Sequence, residues 1–306
     1  MSYQRSHGKK QRSVFASVFL FLATLFGILI LLVGGAALYF LVIAPPEQPE
    51  RLPTSEAETS SVVYQGEGPM TLLLVGTDDS SGSAGSFMLL RLDPEGNAVW
   101  VAPLSKDLKT QVGNREDTLS GFYAYGGRMM MRQAVESATG VTIDHYVIMT
   151  ASSAGEIVDL LGSVTCNVPE EINYVGPDNG FTLALGKGQQ ALDGSQLIKL
   201  VRYQGWSSVD ACEYSGQVMC DLLNQHMDEK TVEKATSIFA KAVNKVTTDI
   251  GAVDLAKNLP AIRYLCLTNE GDVAKLVSAS GKEGEELKNV LGEHFPVEQA
   301  VLTDEK

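Results

Sequence analysis

The chain has 306 residues, 44% of them hydrophobic and 20% charged, which suits one sizeable domain with added segments and excludes a wholly disordered protein. Its net charge is −13, from 24 Lys and Arg against 37 Asp and Glu. Such an acidic body argues against a nucleic-acid partner, because phosphate neutralisation needs a basic face, and against adsorption to anionic lipid or wall polymer.

The amino terminus predicts a location. Arg5, Lys9, Lys10 and Arg12 precede position 13, and no acidic residue does. From Ser13 to Pro46 no side chain is charged, and Val14 to Ile43 is almost entirely apolar. A helix over that run spans about 45 Å, enough to cross a hydrocarbon core of ~30 Å. A cleaved signal peptide has a shorter apolar core, and here Leu38 to Ile43 continues past the small residues at 34–37. The reading is a single-pass anchor over 13–43 in the cell membrane. The positive-inside rule makes residues 1–12 a cytoplasmic tail and puts the body outside the cell. Residues 44–68, with Pro45, Pro46 and Pro49 before a Ser/Thr/Glu stretch, read as an extracellular linker.

The body alternates strand and helix signals. Thr71 to Val75 is a short apolar run ending at Gly76, which predicts a fully buried strand. Phe87 to Leu92 and Ala98 to Val101 predict strands joined by the turn Asp93-Pro94-Glu95-Gly96-Asn97. Met129 to Ala138 predicts a helix entered after Gly127 and stopped by Gly140. His145 to Met149 is a strand, Ala151 to Leu161 a helix capped by Gly162, and Val164 to Val168 a strand closed by Pro169. Ser195 to Val201, Ala211 to Met227 and Val232 to Val246 read as helices. Arg263 to Thr268 reads as a last strand and Lys282 to Leu291 as a polar helix. Such alternation predicts an α/β fold with helices on both faces of a mixed sheet. Ligands in such folds sit beyond the carboxyl ends of the central strands, which points to the loop 76–82.

Common catalytic signatures are absent: no HExxH, CxxC, Walker A loop or GxSxG elbow occurs. Gly82-Ser83-Ala84-Gly85 is a flexible loop with only a faint phosphate-cradle pattern. Cys166, Cys212, Cys220 and Cys266 all lie in the body, an even count that leaves packed thiols, one disulfide or a metal site open. Cys212 and Cys220 on one helix stand about 12 Å apart, too far to bridge.

Several stretches share an order and spacing: Leu72-Leu73-Leu74-Val75-Gly76-Thr77-Asp78, Tyr123-Ala124-Tyr125-Gly126-Gly127, Gly140 to Val147, Val158 to Val164, and Gly186 to Gly194 leading into Val201-Arg202-Tyr203. Together they resemble the LytR-CpsA-Psr family of bacterial cell-envelope proteins across residues 69–260, with 261–306 as a carboxyl-terminal extension. The resemblance implies a three-layer α/β/α sandwich that binds polyprenyl pyrophosphate-linked glycopolymers. It implies transfer of teichoic acid, capsule or related glycans onto peptidoglycan. An older label for such proteins is cell-envelope-related transcriptional attenuator.

A leaving pyrophosphate needs arginine forks and a divalent ion held by carboxylates. The resemblance therefore assigns Asp78, Lys106 and Arg202 to catalysis. It assigns Asp107, Asp210, Gln204 and Gln217 to substrate binding, and Asp78 with Asp79 to Mg²⁺. The sequence departs from the family pattern at several of these places. Ser83-Ala84-Gly85-Ser86 stands where Arg-Ser-Asp-Thr is expected, and Ser105-Lys106-Asp107 where Pro-Arg-Asp is expected. Gln204 replaces the second arginine of Arg-x-Arg, and Asp210 is followed by Glu213 and Gly216 in place of two arginines. Each lost phosphate-contacting donor costs on the order of 3–4 kcal/mol of transition-state stabilisation. Three readings follow: a transferase whose missing charges are supplied by Arg115, Arg128, Arg132 or Arg91, a catalytically weakened homologue that still binds a polyprenyl chain or serves as an envelope regulator, or a non-catalytic scaffold of wall synthesis. Asp78, Asp107 and Asp210 also suit plain turn and cap roles.

Overall fold

The computed structural model describes Tyr64 and residues 68–176, 181–268 and 271–296. The tail 1–12, the apolar segment 13–43 and most of the linker 44–68 lie outside these residues. Among the described residues no helix is long and apolar enough to cross a membrane.

The central sheet grows from strand β1 (Met70–Thr77). Two antiparallel neighbours follow, β2 (Ala84–Asp93) and β3 (Ala98–Leu104), and β6 (His145–Thr150) lies parallel to β1 on its other side. Two short strands complete it: β11 (Thr247–Thr248) antiparallel to β6, and β12 (Ala274–Leu276) parallel to β3. The order is β11-β6-β1-β2-β3-β12, a mixed sheet as the alternation predicts. Beside it stand three small antiparallel pairs. They are β4 (Lys109–Val112) with β5 (Arg115–Thr118), β7 (Val164–Val168) with β10 (Gly188–Leu192), and β8 (Ile172–Val175) with β9 (Thr182–Leu185).

Helices cover both faces. On one, α1 (Leu119–Thr139) and α7 (Gly284–Gly292) bury Leu73, Val75, Phe87 and Leu89 under Phe122, Met131, Val135 and Leu287. Helix α1 carries a kink at Gly126 and Gly127, whose φ/ψ values are non-helical, and it ends on Gly140 in the left-handed region. The sequence shows only the half after this kink. On the opposite face, Met88, Leu90, Val99 and Val101 meet Cys220 of α4 (Ala211–His226) and Ala261 and Leu265 of α6 (Ala252–Thr268). Arg263 to Thr268 is thus the end of a helix, not a strand. Ala261 and Leu265, four apart, put one helical stripe on the sheet, and the helix runs through Pro260.

The remaining helices are α2 (Ala151–Leu161), α3 (Gly194–Arg202) and α5 (Glu229–Ala242). A full capping box, Asp193 with Gln196, starts α3. Gly194 lies so close to α2 that a Cβ there would stand 2.0 Å from the Gly155 carbonyl oxygen. Helix α4 runs along the free side of β7, and Gln225 bonds both the N–H and the C=O of Thr165 at 2.8 Å.

The β1 strand is not fully buried as its apolar run predicts. Thr71, Leu73, Val75 and Thr77 are buried, while Met70, Leu72, Leu74 and Gly76 on the other face are half-buried. Val147 and Met149 of β6 and Leu259 and Ile262 of α6 are half-buried too, and α5 buries no residue at all. This face of β1 and β6 is an apolar layer without tight closure.

Candidate functional site

Strands β1, β3, β6 and β12 all run in one direction, so the loops after them gather at one end of the sheet. Asp78 follows β1 directly. Its loop is an Asx turn: Oδ1 accepts the amides of Ser80 and Ser81, each at 3.0 Å, and both hydroxyls, at 2.5 and 3.2 Å. Gly82, at φ 65°, closes the loop by donating its N–H to the Asp78 carbonyl. The Ser80 hydroxyl, then the Ser81 and Ser80 amides, hold the Asp78 carboxyl well below the usual carboxylate range. Its Oδ2 accepts Arg202 Nη2 at 2.7 Å. Arg202 ends α3, with its guanidinium 5.8 Å from the centre of the Phe181 ring. Asp78 and Arg202 are therefore brought together as an ion pair with each other.

Asp79 turns elsewhere. Its Oδ1 accepts the Ser152 amide at 3.1 Å and the Ser152 hydroxyl at 2.6 Å, in the first turn of α2. The Ser152 hydroxyl, then its amide, lower the Asp79 pKa, a favourable arrangement at a helix start. Asp79 serves the helix, while Asp78 has both oxygens engaged. No group of three His, Cys, Asp or Glu side chains among the described residues is arranged to hold a metal. The two carboxylates expected to share Mg²⁺ are engaged separately, Asp78 Oδ2 by Arg202 and Asp79 Oδ1 by Ser152, and form no preformed cation cage.

Lys106 and Asp107 follow β3 and pair with each other, Nζ lying 2.7 Å from Oδ2. Both are exposed, with side-chain accessibilities of 47% and 67%, so solvent screens the pair. The lysine that stands where an arginine fork is expected thus makes only an exposed, screened pair with its own neighbour. Gln204 is exposed just after α3. Asp210 caps α4: its Oδ1 accepts the Glu213 amide at 2.8 Å and the Ser280 hydroxyl at 2.7 Å, which lower its pKa in that order. Glu213 accepts the Ser278 hydroxyl. Gly216 is buried, and a Cβ there would stand 2.6 Å from Leu276 Cδ1 and 2.8 Å from Pro103 Cγ. The second arginine expected on this helix has no room, because α4 has settled onto β3 and β12.

Of the four arginines offered as relocated charges, two are paired elsewhere and one stands at the far end of its strand. Arg115 pairs with Asp117 at 2.5 Å and covers Tyr125, and Arg132 pairs with Glu136 at 3.1 Å and donates to the Ile143 carbonyl. Arg91 lies at the opposite end of β2 from Asp78, and Arg128 is exposed in α1.

Gln217 donates to Asp221 at 3.1 Å, and both line a cleft of about 460 Å³ between α4 and the β7–β10 pair. Thr165, Asn167, Gln189 and Tyr214 also face it, and no basic residue does. Burial raises the Asp221 pKa. Sequence reasoning missed Ser152 and Asp221. It also missed the cradle serines, although Asp-Asp-Ser-Ser is an Asx-turn signal. The four cysteines are free thiols, with Cys166 and Cys220 buried.

The fold and this loop cluster define a class of α/β proteins represented among solved structures. Bacillus subtilis TagV shares the fold with a TM-score of 0.60 at 18% identity, covering 75% of this chain and 98% of that one. A structure of TagT bound to LIIa-WTA gives 0.58 at 18% identity over 78% and 94%. The LytR_cpsA_psr family model matches residues 47–268, and the chain belongs to that family. The TagU proteins of Bacillus subtilis and Enterococcus faecalis, named polyisoprenyl-teichoic acid–peptidoglycan teichoic acid transferases, are each 23% identical to it. They align over 253 and 266 residues, covering 79% of both chains in the first case, and 82% of this chain and 83% of the relative in the second.

Proposed function

We propose that this chain acts in cell-envelope biogenesis as a carrier-binding member of its family with weakened transfer chemistry. It would hold the apolar chain of a polyprenyl phosphate lipid, the carrier of a teichoic-acid-type glycopolymer, and place the phosphate at Arg202. The segment 13–43 would anchor it, with the body outside the membrane facing peptidoglycan.

The observation that carries this reading is the half-buried apolar face of β1 and β6. Leu72 and Leu74 sit on central strands yet keep access to solvent, while Leu73 and Val75, their neighbours on the same strand, have none. Leaving such side chains half-covered forgoes about 25 cal/mol per Å² of apolar surface. A long apolar ligand recovers that loss. The layer ends where β1 ends, beside Asp78 and Arg202.

Weakened chemistry follows from the charges. Arg202 already shares its charge with Asp78 through Nη2, Lys106 is a screened point charge, and position 216 has no room for an arginine. Loss of one preorganised donor lowers rates by about 10²–10³, and this site lacks several.

The test uses the full chain in detergent. Mass spectrometry of extracted lipid and thermal stabilisation by polyprenyl phosphate read binding, and carrier-phosphate release with and without Mg²⁺ reads turnover. Bound lipid with negligible turnover is expected. Many Mg²⁺-dependent cycles would show intact chemistry, and absence of both lipid and stabilisation would refute the carrier reading.

A further inference from the structure

The cleft between α4 and the β7–β10 pair is built from two polar surfaces. Strand register sets the first. Asn167 of β7 and Gln189 of β10 are directly paired, so their side chains leave the same face of the ribbon, and Thr165 joins them two residues earlier on β7. All three are exposed, and their side chains are spent on no bond among the described residues. Helical spacing sets the second surface. Tyr214, Gln217 and Asp221 stand at i, i+3 and i+7 of α4 and form one stripe along the cleft.

The two surfaces are tied together at both ends. Tyr214 Oη donates to the Asn167 carbonyl at 3.0 Å, and Gln225, one turn beyond Asp221, bonds both backbone groups of Thr165. The space between them is about 460 Å³, inside the range of ~300–1,000 Å³ common for small-molecule sites.

The lining selects among ligands. No basic residue faces the cleft, and the half-buried Asp221 makes no ion pair among the described residues, so an anion is repelled. An extended peptide would pair with the free edge of β7, which Gln225 and Tyr214 already occupy. A wholly apolar ligand would strand the carboxamides without partners. The polar groups suit a ligand whose own groups both donate and accept, because each carboxamide offers a donor beside an acceptor and the carboxylate accepts. Hydroxyls on neighbouring ring carbons have that character, and Pro169 and Val209 offer apolar contact to the C–H face of such a ring.

We infer that this cleft binds an uncharged sugar ring through Asn167, Gln189, Gln217 and Asp221. It uses none of Asp78, Lys106 and Arg202, so it holds or fails apart from the carrier reading.

The test is saturation-transfer NMR on the full chain at pH 8, in a detergent without a sugar headgroup. The probes are the methyl glycosides of glucose, galactose, mannose and N-acetylglucosamine. At least one should saturate with a Kd of about 1–10 mM. Asn167→Ala and Gln189→Ala should each weaken it about fivefold or more at unchanged Tm, and Arg202→Gln should leave it unaltered. The uronic-acid counterpart of the bound sugar, which adds one carboxylate, should bind about fivefold more weakly or worse, and Asp221→Asn should narrow that gap. The inference is overturned by any of four results: no saturation with any probe, binding that persists when Asn167→Ala and Gln189→Ala are combined, binding lost in Arg202→Gln, or a uronic acid bound as well as its neutral sugar.

Discussion

Replacing Gly216 with alanine tests whether α4 has closed the place where the family keeps an arginine. In an exposed helix interior, Gly to Ala gains about 1 kcal/mol. Here the added methyl would lie 2.6 Å from Leu276 Cδ1, a flexible tip that can turn aside, and 2.8 and 2.9 Å from the Pro103 ring, which cannot. Overpacking of this kind costs about 1–3 kcal/mol. The two effects leave a net loss of roughly 1 kcal/mol, or about 2–4 °C in Tm for a domain of this size. The decisive assay is a double-mutant cycle with Pro103→Ala, followed by thermal or urea denaturation. Removing the ring should relieve the clash, so the two changes should couple favourably by about 1 kcal/mol or more. A rise in Tm for Gly216→Ala alone, or strictly additive effects, would refute the close approach and reopen this position to a phosphate-binding side chain.

Three further predictions concern titration and thiols. Asp78, Asp79 and Asp210 all ionise below their ordinary values. A carboxyl depressed in the fold stabilises it above the unfolded pKa of about 3.9 and loses that contribution as pH falls. Tm should therefore hold from neutral pH to about pH 4 and drop below it, and Ser80→Ala should move the acid midpoint upward. Asp221 is shifted the other way by burial, so its ionised form burdens the fold at neutral pH. Asp221→Asn should raise Tm at pH 7, with the gain vanishing below about pH 4. Burial pushes the Cys166 and Cys220 thiols up to about 12, so both should resist alkylation at pH 8 and react on unfolding. The chain should also migrate identically with and without reductant.

Where local signals agreed with packing, the fold was legible. Helix α2 and strand β7 run over the residues their patterns predict, because Gly162 between them and Pro169 beyond leave little choice of boundary. Helix α6 was not legible. Tyr264, Leu265, Cys266, Leu267 and Thr268 have strand-like composition beyond a proline, and contact of Ala261 and Leu265 with the sheet decides for a helix. The site divides in the same way. Asp78 was legible because it ends an apolar strand in a turn sequence. Its pairing with Arg202 spans 124 positions and leaves no local trace. That Lys106 would be held by Asp107, or that Gly216 would lie under Pro103, depends on how loops and α4 settle on the sheet.

The bond from Gln225 to Thr165 carries a consequence for solubility. A strand with an unpaired side invites another chain to add on, and proteins blunt such edges with charge, bulges or covering segments. Here one carboxamide presents an acceptor and a donor in the spacing of a peptide group and answers both backbone groups of Thr165. It acts as a single rung of a strand that is not there. With Tyr214 Oη donating to the Asn167 carbonyl at 3.0 Å, that rung answers the β7 edge beneath α4, so Gln225→Ala would loosen the edge and favour self-association at high concentration while leaving the core of the fold untouched.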